Sequence, residues 1–214
     1  LRTAIAGLIS AKYLAPKNIK AIGVIGTGIQ ARMQISMLKQ WSDCRNVFVW
    51  GRDIEKVEKY KEDIAKEGFI SKAVNTTAEL SKYCNLIITT TASSHPLLQE
   101  SDIQPGTHIT AIGADSPGKI ELDPKIIAKA NIVVVDSRSQ CIDHGEIYQA
   151  YKQQLVTYKD LTELGEIIVN PSLGRRNDTQ ITIADLTGVA VQDIQIVKSI
   201  LQSFKASAHS DTRS

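Results

Sequence analysis

Hydrophobic residues along the chain follow two alternating spacings. Short, almost wholly apolar runs predict strands buried on both faces, at residues 21–25, 46–50, 70–74, 85–90, 107–112 and 131–135. Between them, apolar residues recur at helical spacing and predict helices over residues 3–15, 29–41 and 54–67, with shorter ones after Thr76 and near 124–129. Strands that alternate with helices in this way form parallel sheets covered on both faces. The pattern therefore predicts an α/β fold with a doubly wound parallel sheet.

The pattern is less regular after Asp136. Residues 144–164 are predicted to be helical, 170–178 to form a turn-rich loop and 179–186 to form another strand. A helix over 191–204 is predicted to run back across the domain, and 205–214 to be a disordered tail. The rest of the chain divides into an N-terminal helical segment, 1–17, and the main domain, 18–190. Thr3 is a candidate cap for the N-terminal helix.

Composition narrows the class of protein. The chain has 214 residues and a formal net charge of +2 with no basic block, which argues against nucleic-acid and membrane partners. No apolar run is long enough to span a bilayer and no signal-peptide pattern is present, so a cytoplasmic location is expected. The three cysteines and four histidines have no metal-ligand spacing, and we expect no metal site.

A glycine-rich turn follows the first predicted strand and opens the next helix. Its G-x-G-x-x-A form comprises Gly26, Thr27, Gly28, Ile29, Gln30 and Ala31. In a dinucleotide site the first glycine permits the tight turn and the second lets backbone N–H groups approach the pyrophosphate. The third, small residue lets helix and strand pack closely. The alternative is a structural turn without a ligand, but its position between strand and helix favours a dinucleotide.

The second strand ends in W-G-R-D, where dinucleotide sites recognise the ribose. Gly51 occupies the position at which NAD-binding chains usually carry an acidic residue, and Arg52 follows it. A guanidinium suits a 2′-phosphate, so NADP(H) is the preferred cofactor and NAD(H) the alternative. In that alternative Arg52 is solvated surface and Asp53, which can cap the next helix, also reaches the ribose.

Two later segments place polar residues at the carboxyl ends of strands, where open α/β sheets bind ligands. Thr90, Thr91 and Ser93 can line a cofactor site, although Ser and Thr also simply form loops. Asp115 follows a strand that ends at Gly113 and is placed for proton transfer beside a nicotinamide. The alternative for Asp115 is a turn residue that accepts local backbone N–H bonds.

The chain resembles the ornithine cyclodeaminase and mu-crystallin family. The resemblance rests on L-R-T-A-I-A-G-L-I-S-A-K-Y-L-A, G-T-G-I-Q-A-R, V-W-G-R-D, G-A-D-S-P-G-K-I-E-L-D and D-L-T-G-V-A-V-Q-D, which span most of the chain in one order. It implies a Rossmann NAD(P)-binding domain with remnants of a second, substrate and dimerisation domain, whose N-terminal part is largely absent from this chain. It also implies a homodimer.

The resemblance also assigns roles to residues. Arg2, on the helix at the domain junction, resembles the arginine that binds the substrate carboxylate, and Asp115 resembles the catalytic acid or base. Further residues are implied to contact the cofactor, namely Thr3, Gly113, Thr187, Gly188 and Val189.

The family's reactions share hydride exchange between a nicotinamide and the carbon that bears nitrogen in an amino or imino acid. Because Gly51 and Arg52 favour NADP(H), we expect a reductase of cyclic α-imino acids such as Δ1-pyrroline-2-carboxylate. The alternatives are an ornithine cyclodeaminase, which recycles bound NAD, and a crystallin-like protein that binds cofactor without turnover.

Overall fold

The computed structural model describes residues 1–189 and residue 194. Ten strands lie within this part of the chain: β1 Ile22–Ile25, β2 Asn46–Trp50, β3 Ile70–Ala73, β4 Leu86–Thr89, β5 Ser94–Leu98, β6 His108–Ala111, β7 Ile120–Leu122, β8 Ile132–Val135, β9 Leu161–Glu163 and β10 Thr182–Asp185. Eight of them form one sheet in the order β3-β2-β1-β4-β6-β10-β8-β9, and every pairing in it is parallel. Strands β5 and β7 form a separate parallel pair.

Helices connect the strands and cover both faces of the large sheet. They are α1 Arg2–Leu14, α2 Ile29–Leu38, α3 Ile54–Ala65, α4 Thr77–Tyr83, α5 Pro124–Lys129, α6 Arg138–Cys141, α7 Glu146–Lys152 and α8 Leu164–Val169. One apolar layer packs Ile35, Tyr60 and Ile167 against one face, and a second packs Leu80, Ile126 and Ile147 against the other. The predicted doubly wound α/β fold is confirmed.

The strand order contains a reversal beside β1. The chain proceeds outward from β1 through β2 to β3, then returns to place β4 on the other side of β1. Ligands of doubly wound sheets bind in the crevice at the carboxyl ends of the strands flanking such a reversal. A dinucleotide bound in this crevice would lie with one half over β1 and β2 and the other half over β4 and β6.

Helix caps explain several element boundaries. Asp53 Oδ1 accepts the N–H groups of Glu55 and Lys56, and Thr76 Oγ1 accepts that of Glu79. Both caps were predicted. Thr3 is not a cap, because α1 already begins at Arg2 and Leu1 occupies the N-cap position.

The predicted helix over 144–164 is wrong in extent. Helix α7 ends at Lys152, Gln154 adopts a positive φ of 59°, and Leu161 then begins β9, which joins the sheet as its edge strand. Burial of Leu161 in the apolar layer stabilises this strand against the helical alternative. Strands β5 and β7 were not predicted either, because β5 begins with polar residues and β7 has only three residues, with Glu121 in the middle.

No helix within residues 1–189 combines the length and apolar character needed to cross a membrane. The predicted helix over 191–204 and tail over 205–214 lie outside the described residues, apart from residue 194.

Candidate active site

The parallel sheet brings the predicted residues to one edge. Gly26, Gly51, Thr90, Gly113 and Thr187 each lie just beyond the carboxyl end of a strand. A cavity of about 230 Å³ opens at this edge beside β1, β2 and β4. It is lined by Gly26, Thr27, Gly28, Trp50, Gly51, Arg52, Asp53, Lys56, Thr90, Thr91, Ala92, Ser93 and Leu97.

The two glycines of the turn are required for different reasons. Gly26 has a φ of 110°, and a Cβ there would lie 2.6 Å from Thr90 Oγ1. Gly28 has an ordinary φ of −80°, and a Cβ there would meet nothing within 4 Å. The fold therefore needs glycine at 26, whereas at 28 the absent side chain leaves open space for a ligand to approach the backbone.

The start of α2 is suited to an anion. Its N-cap is Gly28 and no side chain caps it, so the N–H groups of the first turn remain available for phosphate oxygens. Gln30 Oε1 is buried and has no hydrogen-bond partner among the described residues. These features fit a dinucleotide whose pyrophosphate lies over the turn.

Arg32 holds the glycine turn from behind, a role not predicted from sequence. Its guanidinium donates to the carbonyl oxygens of Thr27 and Gly28. Its Nη2 and Nε also donate to Asp63 Oδ2, at 2.9 and 3.0 Å. It also lies over the Tyr60 ring. Hydrogen bonding from Arg32 lowers the pKa of Asp63 to about 2. The bonds turn the carbonyls of the loop toward Arg32, which favours N–H groups facing the cavity.

The far end of the cavity carries two cations. Arg52 is exposed and has no hydrogen-bond or ion-pair partner within the described residues, and Lys56 lies one helical turn further on. Asp53 Oδ1 is occupied by the helix cap, while its Oδ2 lies 3.2 Å from Lys56 Nζ. Hydrogen bonds from Lys56 hold the pKa of Asp53 below its usual value.

Asp115 lies beyond β6, on the other side of the reversal. Its side chain is 54% exposed, and Lys119 Nζ donates to its Oδ1 at 2.6 Å. An exposed pair of this kind contributes little to stability. An accessible carboxylate, held by a lysine in the turn, can exchange a proton with a ligand at this edge.

The residues after β10 lie beside those after β6, since β6 and β10 are neighbours. A Cβ added to Gly188 would lie 3.4 Å from Arg2 Nη2. Asp136 accepts the Gly188 N–H at 2.5 Å and the Thr187 hydroxyl at 3.0 Å, and Gln140 Nε2 donates to Thr187 Oγ1 at 2.8 Å. The Thr187 hydroxyl therefore already serves to hold its own loop.

Not every predicted residue reaches the cavity. Eight of the predicted cofactor residues line it, but Ile29, Gln30, Ala31 and Gly113 do not, nor do Thr3, Thr187, Gly188 and Val189. Ile29 is 76% exposed and Ala31 packs inside the fold. The Thr3 carbonyl accepts a bond from Gln34 Nε2 at 3.0 Å, which ties α1 to α2.

Three buried carboxyl groups lie near the loops of the second half of the site, and two of them, Glu121 and Glu146, were not predicted. Glu121, Glu146 and Asp185 are all inaccessible to solvent. Burial raises the pKa of Glu121, raises that of Glu146 well above its usual value and raises that of Asp185 to about 8. A sequence signal existed for Glu121, because it lies between Ile120 and Leu122, and a buried acidic residue needs hydrogen-bond partners.

The model of the ornithine cyclodeaminase/mu-crystallin family matches residues 1–208. The chain belongs to the ornithine cyclodeaminase/mu-crystallin family. The resemblance drawn from the sequence motifs is confirmed.

Solved structures of this family superimpose on the chain. An archaeal alanine dehydrogenase dimer with bound NAD is 36% identical, with a TM-score of 0.89 over 96% of this chain and 64% of that one. The iminosuccinate reductase of Paracoccus denitrificans in complex with NAD+ is 33% identical, with a TM-score of 0.90 over 97% and 63%.

A third structure is the Δ1-pyrroline-2-carboxylate reductase of Thermococcus litoralis in complex with NADH and L-proline. It is 28% identical, with a TM-score of 0.84 over 90% of this chain and 60% of that one. The chain thus spans less than two thirds of the length of each of these relatives.

Proposed function

We propose that the protein is an NAD(P)H-dependent reductase of a cyclic α-imino acid of the Δ1-pyrroline-2-carboxylate type, giving a proline-like amino acid. The observation that carries the proposal is the placement of Asp115, with Lys119 bound to it, at the same sheet edge as an uncapped glycine turn. A binding protein without turnover has no need of a proton-transfer group there. The names of the three structural relatives, all enzymes of amino or imino acids, support the reaction class.

The chain's own residues divide the work of this reaction. Arg2 binds the substrate carboxylate and so fixes the reacting carbon, which is catalysis by positioning. Bound NAD(P)H supplies the hydride to that carbon. Asp115, which is accessible to water, takes up a proton from water and passes it to the imine nitrogen as the C=N bond is reduced. Lys119 Nζ, 2.6 Å from Asp115 Oδ1, orients the carboxyl group and holds it in the turn.

We propose NADP(H) as the preferred cofactor and NAD(H) as the weaker alternative. Support comes from Arg52 and Lys56 at the ribose end of the cavity and from Asp53, whose oxygens are occupied by the α3 N-terminus and Lys56. An arginine without a partner among the described residues suits a 2′-phosphate. The relatives contain NAD or NADH, so this preference would distinguish the protein from them.

The proposal also covers the domains of the protein and its oligomeric state. Residues 18–190 form the cofactor domain, and 1–17 carry Arg2 to the junction with a substrate domain. A homodimer is proposed because the archaeal alanine dehydrogenase is a dimer.

The test is an assay of the full protein with Δ1-pyrroline-2-carboxylate and NADPH or NADH, followed by nicotinamide absorbance. A parallel assay measures ammonia released from ornithine with catalytic NAD. We expect NADPH oxidation that depends on the imino acid, with little ammonia. Ammonia and proline formed without net cofactor consumption would instead establish a cyclodeaminase, and cofactor binding without either reaction would establish a binding protein.

A further inference from the structure

Glu121 joins the two loops that flank the second half of the site. It lies in β7 and is fully buried. Its Oε1 accepts the Thr91 N–H at 2.6 Å and the Thr91 hydroxyl at 2.7 Å. Its Oε2 accepts the Gly113 N–H at 2.9 Å. One carboxyl group therefore bonds the loop after β4 and the loop after β6 at the same time.

The two loops carry different parts of the proposed site. Thr91 lines the cofactor cavity, and Gly113 begins the turn that presents Asp115. A Cβ at Gly113 would overlap both the Thr91 carbonyl oxygen and the Glu121 carboxyl group, so the loops approach closely and only glycine fits between them. Glu121 therefore sets the distance between Thr91, which lines the cavity, and the turn that carries Asp115.

Glu146 provides a structural comparison within the same cluster. It is as deeply buried as Glu121, and its carboxyl oxygens accept the N–H groups of Glu121 and Leu122 at 2.8 and 2.9 Å. It holds the backbone of β7 but bonds neither Thr91 nor Gly113. Both glutamates are buried and both accept backbone N–H groups, but only Glu121 bonds the loops of the site.

We infer that Glu121 is a positioning residue for the nicotinamide half of the cofactor, an inference that rests on the proposed function. The strand reversal places that half over β4 and β6, while the adenosine half lies over β1 and β2. Glu121 acts through Thr91 and Gly113, and it contacts no residue of the W-G-R-D segment. Its loss therefore weakens binding of the nicotinamide half and spares the adenosine half.

The experiment compares Glu121→Gln with Glu146→Gln. Dissociation constants are measured by calorimetry for the dinucleotide that the unsubstituted protein binds more tightly, NADH or NADPH. They are also measured for the fragment of that dinucleotide without nicotinamide, which is ADP-ribose for NADH and 2′-phospho-ADP-ribose for NADPH. In Glu121→Gln an amide NH2 replaces one acceptor and faces an N–H donor. We expect the dinucleotide to bind roughly tenfold more weakly, since a lost bond to a charged acceptor in a buried site has that order of effect, with ADP-ribose affinity unchanged.

Glu146→Gln is expected to lower thermal stability without changing the ratio of the two affinities. The inference would be overturned if Glu121→Gln weakened binding of the dinucleotide and of ADP-ribose equally. It would also be overturned if both variants changed the ratio of these two affinities by the same factor. If Glu121→Gln does not fold, Glu121→Asp repeats the test, because a side chain one methylene shorter cannot reach both loops. Absence of dinucleotide binding by the unsubstituted protein would instead refute the proposed function.

Discussion

The two halves of the candidate site are built in different ways. Over β1 and β2, the surface of the glycine turn consists of backbone from one short stretch, Gly26 to Gly28, held by Arg32, five residues from Thr27. Over β4, β6 and β10, the loops are held by buried carboxyl groups from distant parts of the chain. Glu121 is 30 residues from Thr91, and Asp136 is 52 from Gly188. The turn proposed to recognise phosphate is held by local contacts, whereas the loops proposed to carry proton and hydride transfer are held by long-range acidic contacts.

The largest effect is expected at the catalytic carboxylate. Asp115→Asn should lower kcat for imine reduction roughly 100- to 10,000-fold, the usual contribution of a general acid or base. Cofactor affinity should be unchanged, because Asp115 does not line the cavity. Steady-state kinetics and calorimetric titration measure the two quantities.

The control is Asp143→Asn, since Asp143 is also an exposed aspartate and should leave both unaltered. Unchanged turnover in Asp115→Asn would remove the proposed role.

The glycine turn separates folding from binding. Gly26→Ala should lower the free energy of unfolding by about 1–3 kcal/mol, because φ is 110° and the Cβ would contact Thr90. Gly28→Ala should change it by less than about 1 kcal/mol. The methyl group at 28 should instead weaken dinucleotide binding roughly tenfold or more, since it occupies the approach of the pyrophosphate.

Urea unfolding measures the free energy of unfolding of the two variants, and calorimetry measures their affinity for the dinucleotide. If Gly28→Ala bound cofactor normally, the pyrophosphate would not lie over this turn.

A smaller effect is expected from the arginine behind the turn. Arg32→Lys loses the paired bonds to Asp63 and should weaken cofactor binding by roughly three- to tenfold. Arg45→Lys is the matched control. Arg45 also donates to loop carbonyls, those of Ser42 and Cys44, and lies over an aromatic ring, that of Phe69, but it is not at the cavity. Equal cofactor affinity in the two variants would mean that Arg32 only stabilises the fold.

The smallest effect is expected in the pH dependence of the free energy of unfolding, through a buried carboxyl group in the second half of the site. In the folded protein burial raises the pKa of Asp185 from its ordinary 3.8 to about 8, so the group stays protonated near neutrality. Because the folded state then binds more protons than the unfolded state, this contribution to stability decreases as pH rises from about 4 to about 8. Asp185→Asn keeps an acceptor for the Ile147 N–H and cannot ionise.

The free energy of unfolding of Asp185→Asn, minus that of the unsubstituted protein, should therefore increase across this range. His108, whose pKa burial lowers to about 3, has the opposite pH dependence but is present in both proteins and cancels. A difference independent of pH would show that Asp185 does not titrate in this way.

The same contrast explains how far the sequence could be interpreted. The glycine turn and the Asp53 cap were predictable because their partners lie within a few residues, and the strand–helix alternation indicated the doubly wound sheet. Glu121 appears in the sequence as an isolated acid between Ile120 and Leu122, and only the pairing of β5 with β7 brings it to Thr91. Strand β9 was missed because burial of Leu161 against the sheet outweighed a helical local pattern.

The most direct test of the central claim is the affinity of the protein for NADPH and NADH, measured by calorimetry beside Arg52→Gln. We expect both dinucleotides to bind, NADPH more tightly, with Arg52→Gln weakening NADPH and leaving NADH unchanged. Equal loss of both would place Arg52 outside 2′-phosphate recognition. Failure of either dinucleotide to bind would contradict the assignment of this edge as a nicotinamide site.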